Sequence, residues 1–362
     1  MSKDSYKYIV EIYREDGTPV GQAAITPDWE PARESVRFQA IRRARLPLGV
    51  GNKEALIEPL WHSSAKEPFL RGFRVSFLQS HDEVSADFST AYFHDLAELA
   101  GSRFVEKGLL QAGDRFRYLV AAYARDEEPP ERNRLSIATE EVAQALRLKK
   151  SALDVYQRVA EPCGETAADE MPVFIPQHIL NEVADLTRQA VERETGGILI
   201  GHLRRDESVP EIFAEVTTQL AARHTVSELT KLTFTAETWT ECRAALELRR
   251  RDEIFLGWWH SHPVREWQCK HCPLERQRVC RLARDYFSEH DRALQRTVFP
   301  RAYSVALVAN DVAFSEISFS MFGWRAGAIE ARGFHILGAN GTATGAPVKN
   351  TIGEPCHVNE RE

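Results

Sequence analysis

The segment EIFLGWWHSH, from Glu253 to His262, is the feature that most constrains the fold. It has the length and apolar content of a buried strand, and it ends in two histidines separated by one serine. Successive side chains of an extended chain point to opposite faces, so His260 and His262 point the same way and Ser261 points the other way. We therefore predict a buried strand that presents two imidazoles at its end. The preceding tryptophans are predicted to divide between the core and its rim.

The chain has 362 residues, about twice the usual size of one domain, which predicts two domains. Residues 1–135 read as a small N-terminal α/β domain, to which we assign the binding of a substrate or partner, and 136–171 read as a linker with a short helix. Strand and helix patterns alternate irregularly over 172–337, which predicts an α/β sandwich with a mixed sheet. The Gly, Ala and Thr content of 338–362 predicts a flexible tail.

Composition narrows the class of protein. A hydrophobic fraction of 43% and a charged fraction of 27% are typical of a soluble globular protein. The net charge of −7 gives no reason to expect nucleic acid or an anionic membrane as the main partner. The N-terminus has no apolar leader pattern, and no run of 18 apolar residues follows it, so we predict a cytoplasmic protein.

The two histidines suit a shared zinc ion, which would need a third protein ligand and a water to be catalytic. Asp291 is the candidate ligand, and Ser288 precedes it by one helical turn, so hydroxyl and carboxylate can address the same point. Hydrolysis also needs a base. Glu194, at the start of the apolar strand GGILIG, is the best placed carboxylate.

These residues together resemble the JAMM (MPN+, JAB1/Mov34) zinc metalloproteases, as a bacterial deubiquitinase-like member. The resemblance covers 172–337 and rests on Glu194 before TGGILIG, on His260-Ser261-His262-Pro263 and on Ser288-x-x-Asp291. It implies a cytidine-deaminase-like sandwich in which both histidines and the aspartate hold catalytic zinc. Glu194 would act as general acid/base on the zinc-bound water, and Ser288 would help to stabilise the tetrahedral intermediate.

The resemblance also implies a function. Members hydrolyse peptide or isopeptide bonds after the C-terminus of a ubiquitin-like protein, so the expected partners are such a protein or its conjugate, with E1- and E2-like enzymes alongside. Two alternatives stay open: a catalytically silent MPN scaffold, and an amidohydrolase of the same chemistry acting on a sulfur-carrier or small amide substrate. A nucleobase deaminase is disfavoured, because its pattern needs His-x-Glu with a proline before Cys-x-x-Cys.

The spacing departs from the family pattern. Residues 263–290, 28 in all, separate His262 from Asp291, which is longer than the family pattern and indicates an insertion. Asp285 is a rival third ligand, but Leu282 stands where Asp291 has its serine three residues earlier. We therefore retain Asp291 as the predicted ligand.

Three cysteines lie in this inserted stretch. Cys269, Cys272 and Cys280 predict a second, structural zinc, or less favourably an iron–sulfur cluster. Reduced cysteines and a redox disulfide are the alternatives, since three thiolates are one short of a closed site. The fourth ligand would be His271, His290, Cys242 or a water.

Overall fold

The computed structural model describes residues 6–62, 68–78, 83–124, 146–190, 193–222, 225–228, 231–264, 273, 286–313 and 316–338. The chain divides into two compact units. The first comprises Met1–Ile41, Arg45–Ala145 and Ala326–Ala328, and the second comprises Arg42–Ala44, Leu146–Arg325 and Ile329–Glu362. The domain boundaries drawn from the sequence remain predictions, and the predicted linker helix and most of the predicted tail lie outside the described residues.

The first unit is built on two antiparallel sheets, ordered β2-β1-β6 and β3-β4-β5. Asp16 and Gly17 lie in the connection between β1 and β2, and Gly17 has the positive φ of 87° that a tight hairpin turn favours. The elements in chain order are β1 (Tyr6–Arg14), β2 (Pro19–Ile25), α1 (Glu30–Arg42), β3 (Ala55–Trp61), β4 (Leu70–Leu78), β5 (Glu83–Ser89), α2 (His94–Glu106) and β6 (Phe116–Ala124).

The second unit is built on a ten-stranded sheet, ordered β17-β16-β15-β14-β10-β11-β9-β18-β8, with β7 also paired to β10. Both parallel and antiparallel pairs occur, which confirms the mixed α/β class, whereas its cytidine-deaminase-like detail remains a prediction. The elements are β7 (Leu148–Lys150), α3 (Leu153–Gln157), β8 (Ala160–Cys163), β9 (Val173–Pro176), α4 (Gln177–Ala190), β10 (Gly196–Asp206), β11 (Glu211–Ala221), β12 (Thr225–Glu228), β13 (Lys231–Phe234), α5 (Ala236–Arg249), β14 (Ile254–His262), α6 (Glu289–Val298), β15 (Val305–Ala313), β16 (Glu316–Arg325), β17 (Ala328–Arg332) and β18 (Phe334–Leu337).

Strand β14 lies in the middle of this sheet, between β10 and β15, and both of its faces are covered. Trp258 packs in an apolar cluster with side chains of α5 and α6. Trp259 lies on the opposite face, where its indole donates to Gln219. Both tryptophans are fully buried, so the expected division between core and rim is wrong. Alternation sends the two rings to different faces, but both faces of the sheet are covered at this point, so neither ring lies at a rim.

Close approach of β14 to β15 requires glycine at one position. A Cβ added to Gly257 would lie 1.8 Å from the carbonyl oxygen of Val305. Any other residue there would push the two strands apart, and with them the strand end that carries the histidines.

The helix before β15 differs from the prediction. The sequence pattern predicts one helix over about 274–296, but residues 286–288 are not helical and α6 begins at Glu289. Ser288 is its N-cap residue, and its hydroxyl accepts a hydrogen bond from the backbone N–H of Asp291. A serine side chain that satisfies a first-turn N–H favours a helix start at this point. Residues 274–285 lie outside the described part of the chain.

Glu253, at the entrance to β14, ties three elements together. Its carboxylate accepts hydrogen bonds from Thr217 at 2.6 Å and from the Arg249 guanidinium at 2.6 and 2.8 Å. The bonds from Arg249, opposed by burial and aided by Thr217, lower the pKa of Glu253 to about 2. The strand that ends in His260 and His262 is therefore anchored at its start.

Replacing Glu253 with Gln is expected to lower the free energy of unfolding by about 1–3 kcal/mol at pH 7, because a buried charge-assisted bond is lost. A carboxyl whose pKa falls on folding stabilises the folded state at pH values above its ordinary pKa, here 4.5. This contribution to stability disappears as the pH falls toward 2. Urea unfolding from pH 7 to pH 2 tests it, with the exposed Glu161→Gln as control. A difference that persisted at pH 2 would contradict it.

Among the described residues, no helix is long and apolar enough to cross a membrane.

Candidate metal centre

The two histidines of the strand end meet as the alternation predicts. The Nε2 atoms of His260 and His262 lie 2.9 Å apart, and both side chains are buried. Their strand is held on both edges, because His260 pairs with Gly196 of β10 and with Val308 of β15. The positions of both imidazoles are therefore set by the middle of the sheet rather than by a loop.

Asp291, in the first turn of α6, supplies the third group. Its carboxylate oxygens lie 3.4 Å from the Nε2 of His260 and 3.9 Å from the Nε2 of His262. Ser288 donates from both its backbone N–H and its hydroxyl to one carboxylate oxygen, each at 2.8 Å. This capping box fixes the carboxylate toward the histidines. The rival Asp285 lies outside the described residues.

The spacing of the three groups fits a zinc ion. One ligand atom from each of His260, His262 and Asp291 can be chosen so that all lie within 4.8 Å of one another. Ligands of a tetrahedral zinc with bonds of about 2.0–2.1 Å lie roughly 3.3 Å apart. The observed separations of 2.9, 3.4 and 3.9 Å bracket that value. Two imidazoles and one carboxylate are also a donor set that leaves a coordination position open.

Glu194 lies beside this group because of a tether between two strands. The backbone N–H of Ser261 donates to the carbonyl of Thr195 at 2.8 Å, and the N–H of Thr195 donates to the Ser261 hydroxyl at 2.9 Å. Thr195 is thus opposite Ser261, and alternation puts Glu194 on the face that carries the histidines. The Glu194 side chain is only 5% exposed.

Burial and neighbouring charges separate the protonation states of the group. Burial is the main cause that raises the pKa of Glu194 to about 8. The charge of His260 opposes this rise, and the charge of Asp291 adds to it. Burial and His260 lower the pKa of His262 to about 3. Burial opposes the charged form of His260, but Asp291 and Glu194 hold the pKa of His260 above its usual range. The lowered pKa of His262 favours its neutral imidazole, which is the form that binds a metal.

The wall of the site is aromatic. The Trp258 ring stacks on the His260 ring with centroids 4.5 Å apart and an interplanar angle of 13°. Phe287 lies 6.1 Å from the same imidazole, and Tyr286 lies 5.7 Å from the His262 ring at a more exposed position. An apolar wall strengthens charge interactions at the centre by excluding water.

Two residues of the site were missed by sequence reasoning. Gln295 is fully buried and accepts a hydrogen bond from Trp258, and Asn310 neighbours His262 across the β14–β15 pair. Spacing alone could have indicated Gln295, since it follows Asp291 by four residues on one helical face. Asn310 depends on the register of two strands distant in sequence, for which the sequence carries no short-range signal.

The predicted second metal site stays a prediction. Cys269, Cys272 and Cys280 lie outside the described residues, as does His271. Of the other candidate ligands, Cys242 is buried in the apolar cluster that contains Trp258, and burial raises the pKa of its thiol. His290 lies exposed in the first turn of α6.

A mixed sheet with two strand-end histidines and a helix-borne aspartate around one point defines a protein with a candidate His2Asp metal centre. Residues 176–266, about a quarter of the chain, match the family model described as prokaryotic homologs of the JAB domain. The chain therefore contains a domain of the JAB/MPN type, which confirms the resemblance drawn from the motifs. The matched stretch includes Glu194, His260 and His262, and it ends before Ser288 and Asp291.

Among solved structures, the solution structure of protein DSY2949 from Desulfitobacterium hafniense matches with 17% identity and a TM-score of 0.31, covering 45% of this chain and 92% of that chain. None of the curated proteins compared with the chain matches it. The JAB/MPN family includes metalloproteases.

Proposed function

We propose that this chain is a zinc-dependent hydrolase that cuts the peptide or isopeptide bond after the C-terminus of a ubiquitin-like protein. The observation that carries the proposal is the convergence of His260, His262 and Asp291 on one buried point, with Glu194 beside them. Burying four ionisable side chains opposes folding. A domain that only binds a partner gains nothing from that cost, whereas a catalytic centre requires it.

The three ligand residues would hold the metal through both Nε2 atoms and the Asp291 carboxylate. When bound, zinc would polarise the scissile carbonyl and lower the pKa of a water molecule at the same centre. Glu194 takes the proton from the attacking water on its carboxylate and passes it to the leaving amine. Burial raises the pKa of Glu194 in the metal-free site, and the positive charge of a bound zinc ion would lower it toward the range in which the carboxylate can accept a proton and then donate it.

Ser288 has two roles in this proposal. Its hydroxyl donates to Asp291 in the structure, which orients that ligand. Turned toward the substrate, the same hydroxyl can donate to the oxyanion that develops on the scissile carbonyl.

Replacing Ser288 with Ala is expected to lower kcat by about 10² or more, the effect typical of losing one oxyanion donor. Zinc affinity should fall less, because the three ligands remain. Steady-state kinetics and zinc competition measure the two effects separately. Ser89→Ala is the matched control, since Ser89 also caps a helical turn, accepting from Ala91 in the first unit. An unchanged kcat would restrict Ser288 to a capping role.

The substrate class is proposed from the family likeness alone. We assign the first unit to binding the ubiquitin-like protein or an E1- or E2-like partner enzyme. A cytoplasmic site of action belongs to the same proposal.

The test is cleavage by the purified full chain with added zinc. One substrate carries a reporter peptide on the C-terminus of a ubiquitin-like protein, a second carries the same reporter through an isopeptide bond, and a third is the small reporter amide alone. We expect cleavage of the first two that stops when zinc is chelated. Binding without cleavage would favour the silent scaffold, and cleavage of the small amide alone would favour the amidohydrolase.

A further inference from the structure

The position of Asp291, the third metal ligand, depends on residues other than the three ligands. His260 and His262 are two residues apart on one strand, so the pleat fixes their separation. Asp291 comes from α6, and residues 263–290 separate it from the strand. The approach of its carboxylate to the imidazoles therefore depends on how α6 packs against β14. Some contact must set the position of the helix along the strand.

A buried amide lies where such a contact is needed. Gln295 is fully buried, and its carboxamide oxygen accepts a hydrogen bond from the Trp258 indole at 2.7 Å. The carboxamide nitrogen donates to the carbonyl of Ser304 at 3.2 Å, just before β15. The amide thus joins α6 both to the strand of the two histidines and to the start of the neighbouring strand.

The geometry of this contact matches that of the metal centre. Trp258 precedes His260 by two residues, a distance of about 6.6 Å along a strand. Gln295 follows Asp291 by four residues, a rise of about 6 Å along a helix. The pair Trp258–Gln295 and the pair His260–Asp291 are therefore successive contacts between the same two elements. Fixing the first pair aligns the second.

We propose that Gln295 is a positioning residue that sets α6 against β14 through Trp258 and thereby places Asp291 at the metal centre. Apolar contacts in the surrounding cluster have no preferred direction, so they specify the position of the helix less sharply than a hydrogen bond does. A hydrogen bond from a buried indole has a direction and a length, and leaving that indole unpaired is unfavourable. Trp258 also stacks on His260, so the same contact steadies one histidine ligand.

The proposal rests on the proposed function, because it concerns the same zinc centre. The test measures zinc affinity of the full chain by chelator competition. Gln295→Met keeps the side-chain size and loses both hydrogen bonds, and Trp258→Phe keeps a ring beside His260 and loses the indole donor. We expect each variant to weaken zinc binding about tenfold, which is the lower end of the loss in metal affinity seen when a group that orients a metal ligand is removed. Because the residues act as a pair, the double variant should be little weaker than either single one.

The matched control is Thr187→Val. Thr187 is buried on α4, and its hydroxyl donates to the Val183 carbonyl at 2.8 Å, so the variant also loses one buried hydrogen bond in the same unit. Thermal unfolding without zinc compares the stability losses, and the visible spectrum of the cobalt-loaded chain reports ligand geometry. A changed cobalt spectrum in the Gln295→Met variant, with the control unchanged, supports the proposal. If that variant does not fold, the affinity of Trp258→Phe decides.

The outcomes separate the two proposals. An unaltered chain that binds no zinc would overturn the proposed function together with this inference. This inference alone would be overturned if the unaltered chain binds zinc and the Gln295→Met variant loses no more zinc affinity than the Thr187→Val control does.

Discussion

Purified protein is expected to bind one catalytic zinc ion at His260, His262 and Asp291, and replacing both histidines with alanine is expected to remove it. The three ligand atoms lie within 4.8 Å of one another, and two of them belong to the histidines. Removing a group that only orients a metal ligand weakens metal binding by up to about a hundredfold. Removing two ligands should weaken zinc binding by far more. Elemental analysis of dialysed protein and chelator competition measure stoichiometry and affinity.

The histidine prediction has a matched control in the same sheet. His202 on β10 is also buried, but its ring nitrogen contacts Lys149 and it is not one of the three clustered groups. The His202→Ala variant should therefore keep the catalytic zinc. If the double variant retained all of its zinc, the assignment of this site would be wrong. A stoichiometry that fell by one and left a second ion behind would agree with a separate metal elsewhere.

The second large effect is expected at Glu194. Replacing it with Gln should keep zinc bound and lower kcat by about 10²–10⁴, the contribution typical of a positioned acid or base. The amide has nearly the same shape and cannot take a proton from water. The substitution should not disturb the fold, because Gln carries no charge for burial to disfavour and because the Ser261–Thr195 tether does not involve the Glu194 side chain. Single-turnover cleavage and zinc analysis on the same sample test both parts.

Glu253→Gln is the matched control for this change. It makes the same substitution at another buried carboxylate, which bonds Arg249 and Thr217. The control should lower stability and leave kcat near that of the unaltered protein. Loss of zinc from the Glu194 variant would mean that the glutamate is a ligand, and an unchanged kcat would exclude it as the acid or base.

Local pattern predicted much of the centre. Alternation along EIFLGWWHSH predicts both imidazoles on one face, and the structure places their Nε2 atoms 2.9 Å apart. Ser288, one helical turn before Asp291, is predicted to address the same point as that carboxylate, and its hydroxyl donates to the carboxylate at 2.8 Å. The strand GGILIG after Glu194 is β10, paired directly with the histidine strand. Each of these depends on a repeat of two residues or on one helical turn, which a sequence displays directly.

What the sequence alone determined is therefore the set of chemical groups and the face on which each one stands. Only the tertiary structure decided how they meet: Asp291 reaches the histidines across 28 residues because α6 packs against β14 through Gln295 and Trp258. It also decided that Trp258 and Trp259 are both buried, and that burial raises the pKa of Glu194 to about 8. Packing between distant segments and the desolvation it produces depend on three-dimensional neighbours, and no local period in the chain encodes them.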